Sequence, residues 1–404
     1  MVAILTRIFN YDFAKGNAKA IRVWSIIAIA FLFVFGVYDL LYDTGGGLYH
    51  HLTSLMDQQK NPFSNYISQL QFKGLCYGAF AVLALYISTF AVVSFFLSEK
   101  LYGRDKFYKI FLAHLLSNVV SLVLTFLFFA TLGVIAWMLG FDYKIGADSI
   151  GHAYGALNSW IQKYIPTITV LPYPLALLGG MIIGGLPGYL SHWLGHQSRF
   201  VWYMNHRCHH TAEIMHPAGI GPFMFLPEFF SNIPSALLGA VCTKLFSYEP
   251  LIFDTIFLSF ISILIEKFNH STVFYDFAYS FKPVRWLSAY FGGGVYHYVH
   301  HSAAPGDEVV NVGGGPFLFW DRVFGTYRIP PAVKPPVGLT NNPEIRLNPF
   351  AIVISGWQQI AYELRMNKDW LTRFKIIFGD IYYKPPVTKD FLILGYKDEK
   401  SVIV

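Results

Sequence analysis

Charge is what this sequence has least of. Of its 404 residues only 13% are Asp, Glu, Lys or Arg, against 54% hydrophobic and 18% aromatic, and the mean hydropathy is +0.43. A soluble domain carries roughly 25% charged residues, so there is too little charge here to cover a soluble surface of this length. The same numbers exclude intrinsic disorder, which needs low hydrophobicity and high net charge. The net charge of +6 is not gathered into basic blocks, which argues against a nucleic-acid partner. Cysteine is scarce too: Cys76, Cys208 and Cys242 form no disulfide framework and give no sign of an oxidising compartment. No short apolar core with a small-residue cleavage site precedes the first long apolar run, so a cleavable signal is not expected. What these absences leave is an integral membrane protein.

Long apolar runs are what the chain does have. A helix needs about 20 apolar residues to cross the hydrocarbon core. Residues 23–41, 74–98, 110–141 and 168–191 qualify, which predicts an all-α transmembrane bundle of about four spans. The 110–141 run is longer than one crossing and is expected to tilt, kink or start in the interface. Residues 222–246 and 250–266, separated by a short FSYEP turn, read as a hairpin, because Glu228 and its prolines weaken an ordinary span. Arg7, Lys15, Lys19 and Arg22 in the N-terminal arm, and Lys100, Arg104, Lys106 and Lys109 in the 99–109 loop, mark the cytoplasmic side, whereas the loops at 42–73 and 142–167 carry fewer basic residues. After Arg328 a proline-rich connector leads to a tail in which Val353, Trp357, Ile360, Ala361 and Leu364 share a helical face. That face fits either packing on the core or lying in the membrane interface.

Histidine is the third feature: ten of the fourteen fall between His192 and His301. The pair His192 and His196 stands at i, i+4, on one face of a helix. The run His206-Arg-Cys-His209-His210 places three imidazoles on neighbouring helical positions, and His297-Tyr-Val-His300-His301 repeats it. His270 stands alone between them. These nine exceed the four ligands of a tetrahedral zinc and suit two ions of higher coordination. A structural metal site and a histidine-rich transporter are the alternatives, although transport sites favour the bilayer midplane and these motifs fall at span ends. His50, His51, His114 and His152 read as satisfied polar residues, and His216 as structural or as a support for the ligands. Glu213 and Asp307 are candidates to orient ligand N–H groups. Asp321 is expected to tie a turn, and the glycine runs 292–294 and 313–315 to form tight turns beside the third motif.

The order H-x3-H, H-x2-H-H, a single His, then H-x2-H-H resembles the fatty acid hydroxylase/sterol desaturase superfamily of membrane di-iron oxygenases. The segment from Asn311 through Trp320, Asp321 and Gly325 to Tyr327 is similar to that family's trailing N-x-G-G…W-D-R-x-F-G-T-Y signature. The similarity covers roughly 170–330. The tail after 344 is reminiscent of bacterial sterol-desaturase-like proteins and, more loosely, of alkylglycerol monooxygenases.

The resemblance implies that His192, His196, His206, His209, His210, His270, His297, His300 and His301 hold two irons that activate O2 and form the catalytic centre. It implies a membrane lipid as substrate and a cytoplasmic electron donor of cytochrome b5 or ferredoxin type. The expected architecture is a bundle of about four spans plus a hairpin, with a helical histidine-rich di-iron cap. Residues 1–167 form the N-terminal transmembrane region, 168–330 the catalytic domain, and 331–404 the connector and amphipathic tail. Hydroxylation of a fatty acyl, alkyl or sterol-like chain is the expected reaction, with desaturation or ether-lipid oxygenation as alternatives on the same iron site. The expected setting is a multi-pass protein of the bacterial inner membrane, the endoplasmic reticulum being the alternative, with the site on the cytoplasmic face.

Overall fold

The computed structural model describes residues 11–38, 89–140, 147–217, 226–251, 270–291, 293–313, 318–339 and 347–388. Among them the protein is helical, without a strand; only isolated bridges pair Ser198 with Asp380 and Ser302 with Val337. Helix α1 is Ala18–Tyr38, so the 23–41 run is helical as far as the described residues go. Helix α2 covers residues 89–102; the rest of the predicted 74–98 span lies outside the described residues.

Helix α3, Arg104–Met138, is 35 residues long and therefore ~52 Å at 1.5 Å per residue, well beyond a hydrocarbon core of about 30 Å. Its burial pattern explains the excess. All of its buried residues fall between Phe107 and Ser121, and Phe107, Tyr108, Ile110 and Phe111 pack with Ile21 and Ile29 of α1 and Phe95 of α2. Beyond Val119 the large apolar side chains of Leu122, Phe126, Leu127 and Trp137 are exposed. One half of the helix is protein core and the other presents the uninterrupted apolar surface that a bilayer takes up.

Helix α4, Ala147–Tyr164, occupies what the sequence presents as a loop at 142–167. Its apolar residues are too few to raise the hydropathy, yet Leu157 and Ile161 fall on one side and pack against Ala240. Helix α5, Tyr173–Gln197, begins on a proline and runs six residues past the predicted end of its span. It packs along α6, Leu226–Leu245. Helices α3 and α5 are the two described helices both long and apolar enough to cross a membrane. The return arm predicted at 250–266 lies almost wholly outside the described residues.

Short helices follow: α7, Tyr275–Ser280; α8, Lys282–Phe291; α9, Val295–His300; and α10, Phe319–Phe324. Two longer helices follow among the described residues, α11 at Pro349–Met366 and α12 at Trp370–Phe378. Helix α11 settles the choice left open for the tail. Ile352, Val353, Ser355, Gly356, Gln359, Ile360 and Glu363 are buried, whereas Trp357 and Ala361 of the predicted apolar face are exposed. The inward face carries polar groups that hydropathy does not count, and it packs on α3 and on the segment after α5.

Candidate metal centre

The last turns of α5 carry His192 and His196. Ser198 then leaves the helical region and opens a single turn, its Oγ accepting from the Val201 N–H at 3.5 Å. Trp202–His206 winds as a π-helix, and His209–Thr211 as a 3-10 turn. Gly195 makes the return possible: a Cβ there would stand 3.1 Å from the His206 ring, whose close approach needs the bare backbone. On the other side Gly356 of α11 sits against the Tyr203 backbone, where any Cβ would meet the Tyr203 carbonyl. The Tyr203 ring lies between Arg199 and Arg207, 4.7 and 4.9 Å from their guanidinium carbons.

The third motif starts at Gly294, whose φ of +57° admits the sharp entry into α9. His270 is brought in by a backbone tie: Thr272 N–H donates to the Met215 carbonyl at 3.1 Å, and Met215 N–H to Thr272 Oγ1 at 2.8 Å.

These elements gather the nine predicted histidines into two groups, His192, His196, His206, His210 and His300 in one, and His209, His270, His297 and His301 in the other. Within each group the nitrogens lie within 4.8 Å of one another. The division does not follow the motifs. His206 and His210 join the first group while His209, between them, joins the second; His297 and His301 join the second while His300 joins the first. The groups abut, with the His210 and His301 rings stacked at 4.3 Å between centroids.

The spacing tests whether a metal fits. In the first group Nε2 of His206 is 2.8 Å from that of His196, 3.0 Å from that of His210 and 3.1 Å from that of His192. In the second, Nε2 of His297 is 2.7 Å from that of His270 and 3.1 Å from that of His301. Metal–imidazole bonds of ~2.1 Å place adjacent ligands about 3.0 Å apart at an octahedral centre and about 3.4 Å apart at a tetrahedral one. The observed edges are those of a coordination polyhedron, and five imidazoles exceed a tetrahedral zinc's complement. The donor set fits two metal ions.

Burial keeps these rings neutral, as ligands must be. Burial and neighbouring imidazoles hold His206, His210, His297 and His301 well below the ordinary histidine value, and burial takes His300 to about 4. The outer nitrogens are held by backbone. His300 Nδ1–H donates to the Val310 carbonyl at 2.9 Å, and His192 and His196 bond the carbonyls of Val312 and Glu308. Since a carbonyl only accepts, each such ring carries its proton on the outer nitrogen and turns a lone pair toward the centre.

The carboxylates expected to do this work do not. Glu213 pairs with Lys106 at 3.0 Å, and Asp307 pairs with Arg328. Both stand close to the motifs in sequence but are drawn to the nearest cation. The carbonyls of residues 308, 310 and 312 were invisible in the sequence, since every residue has one. Asp321 does tie a turn: it accepts from Val312 N–H at 2.7 Å, Gly313 N–H at 2.9 Å and Thr326 Oγ1 at 2.7 Å. Asn311, at φ +47°, bonds the carbonyl of Arg328 at 2.9 Å. Trp320 Nε1–H reaches the Ile182 carbonyl of α5 at 2.8 Å.

His114 is buried and satisfied, with Nδ1 2.9 Å from the Ile110 carbonyl and Nε2 3.1 Å from Thr211 Oγ1. His216 packs among Phe95, Phe107 and Phe111 and donates to the Ala91 carbonyl at 3.0 Å. His50 and His51, and the side chain of His152, lie outside the described residues.

Residues 177–326 match the family model described as fatty acid hydroxylase. That family lies within the fatty acid hydroxylase/sterol desaturase superfamily. The resemblance read from the histidine motifs is thereby borne out, and the six helices α5 through α10 fall within the matched segment or across its ends. Neither the curated proteins nor the solved structures contain a match.

Proposed function

We propose that this chain is a membrane-embedded oxygenase whose two histidine groups hold two irons and which uses O2 to hydroxylate an unactivated C–H bond of a lipid. The observation that carries the reading is the division of nine imidazoles, eight of them buried, into two metal-sized groups inside a segment matching fatty acid hydroxylases. Bound iron supplies the dioxygen and redox chemistry that zinc lacks.

The chain's own residues supply everything around that chemistry. His206, His209, His210, His270, His297, His300 and His301 are buried, which excludes bulk water and keeps the ligands deprotonated. The 308, 310 and 312 carbonyls fix the rings. The substrate route is apolar: Leu190 and Leu194 of α5, Phe200 just beyond it, and Phe324, stacked on Tyr189 at 5.1 Å, expose greasy surface beside the first motif. A fatty acyl, alkyl or sterol-like chain lying along α5 in the bilayer would meet the site end-on.

Desaturation and ether-lipid oxygenation use the same groups and differ in how the substrate is held. A multi-pass chain in a bacterial inner membrane, with its site on the cytoplasmic face and electrons from a cytochrome b5 or ferredoxin-type donor, completes the reading.

Metal analysis of detergent-purified protein tests it first: two irons per chain support it, and one zinc without iron overturns it. Lipid profiling of cells carrying wild type or His209→Ala follows. A lipid that gains one oxygen atom, or loses two hydrogens, only with the wild type identifies the substrate; identical profiles together with altered metal uptake would favour a transporter.

A further inference from the structure

Helix α12 has a face that the protein core does not use. Asp369 starts it by accepting from the Thr372 N–H at 2.7 Å. Successive residues turn by about 100°, which sorts its nine positions into sectors. Ile376 is 0% exposed and turned to the core. On the opposite side Trp370, Phe374 and Phe378, at i, i+4 and i+8, are 74%, 51% and 69% exposed, with Leu371 beside them. The Phe374 and Phe378 rings lie 4.9 Å apart. Arg373 and Lys375, both exposed, border this stripe on its two sides, and Arg365 and Lys368 precede it.

A second observation sets the depth of the stripe. The end of α12 is fastened to the residues at which α5 stops. Arg199 N–H donates to the Gly379 carbonyl at 2.9 Å, Ser198 bridges Asp380, and the Arg199 guanidinium reaches the carbonyls of Ile376 and Tyr383 at 3.4 and 2.9 Å. Helix α5 ends at Gln197 and is long and apolar enough to cross a membrane; a spanning α5 puts its end at headgroup level, and α12 with it.

We infer that α12 is an in-plane membrane anchor. Trp370, Phe374 and Phe378 enter the boundary between acyl chains and headgroups, and Arg373 and Lys375 meet anionic lipid phosphates on either side. The anchor sets the tilt and depth of the cap over the end of α5. It requires only that α5 spans, so it stands or falls separately from the iron chemistry.

The test uses the full-length protein in vesicles of phosphatidylcholine with phosphatidylglycerol, carrying a nitroxide on Phe374→Cys or Phe378→Cys, or on Lys368→Cys for comparison. The unlabelled-site protein serves as blank for the native cysteines. All three positions are exposed, so the fold is not at stake. The expected result is loss of collisions with a water-soluble nickel chelate at 374 and 378, with oxygen collisions retained, and free nickel access at 368. Equal nickel access at all three positions overturns the proposal. So does protection of 374 from both reagents, which would mean that protein, such as a second copy, covers the stripe. Omitting phosphatidylglycerol is expected to raise nickel access at 374; no change would overturn the role given to Arg373 and Lys375.

Discussion

Arg199 and Glu363, 164 positions apart in the chain, meet in a buried pair: Nη2 donates to Oε1 at 2.8 Å and Nη1 lies 2.7 Å from Oε2. Arg199 sits between the first two histidine motifs, and Glu363 lies beyond the end of the family match at residue 326. Gln359, one turn earlier on α11, donates to Glu363 at 3.2 Å and accepts from Arg207 at 3.2 Å. The π-helical turn bearing His206 is thus braced by the tail.

Substituting Glu363→Ala leaves the Arg199 guanidinium buried and uncompensated, a loss of about 3–5 kcal/mol. Chemical denaturation in detergent is expected to show that loss together with reduced iron content. A variant that binds iron as well as the wild type would show that the brace is dispensable.

Asp321 and His192 are joined by one peptide, since Asp321 accepts from Val312 N–H and the Val312 carbonyl bonds His192. Asp321→Asn leaves one oxygen to serve donors on two sides, and an orphaned buried donor costs roughly 1–3 kcal/mol. The expected result is lower iron occupancy at unchanged helicity by circular dichroism, with Asp321→Glu recovering part of it. Normal occupancy in Asp321→Asn would remove the residue from the support of the site.

The interlaced motifs predict how metal is lost. His209→Ala and His210→Ala strike different groups, yet the two residues share one 3-10 turn. Each substitution is expected to lower iron toward zero per chain, measured by elemental analysis of protein that still elutes as a folded species. A stable one-iron species from either variant would contradict this.

His216, which lies outside both histidine groups, gives a separable part of the pH dependence. Burial lowers it from the ordinary 6.5 to about 4. Between those values the unfolded chain takes up a proton that the folded one refuses, so stability falls as pH falls. A shift of this size is on the order of 3 kcal/mol across the window. Thermal unfolding from pH 7 down to about 4 should therefore be less steeply acid-sensitive in His216→Gln than in the wild type. Parallel curves would place the acid sensitivity elsewhere.

The histidine spacing alone led to the grouped residues, because i, i+4 imidazoles on a helix must converge and nine of them have few other uses. The hydrophobic runs located α3 and α5, since burial in lipid demands continuous apolar sequence. What the sequence concealed follows from the same physics. Helix α4 buries a narrow stripe that hydropathy averages away. The inward face of α11 is polar, its Gln359 and Glu363 matched by arginines far off in the chain. The 353–364 face, which hydropathy left open between the core and the membrane interface, packs on the core, and the exposed apolar stripe comes one helix later, at Trp370, Phe374 and Phe378. Carbonyls took the place of Glu213 and Asp307 because sequence proximity says nothing of which cation a carboxylate will meet.

His209 and His210 are chain neighbours in different groups, as are His300 and His301. The peptide bond is therefore the ruler between the two sites, and it cannot be lengthened. An insertion inside either motif would disturb both sites at once, whereas insertions between motifs need disturb neither.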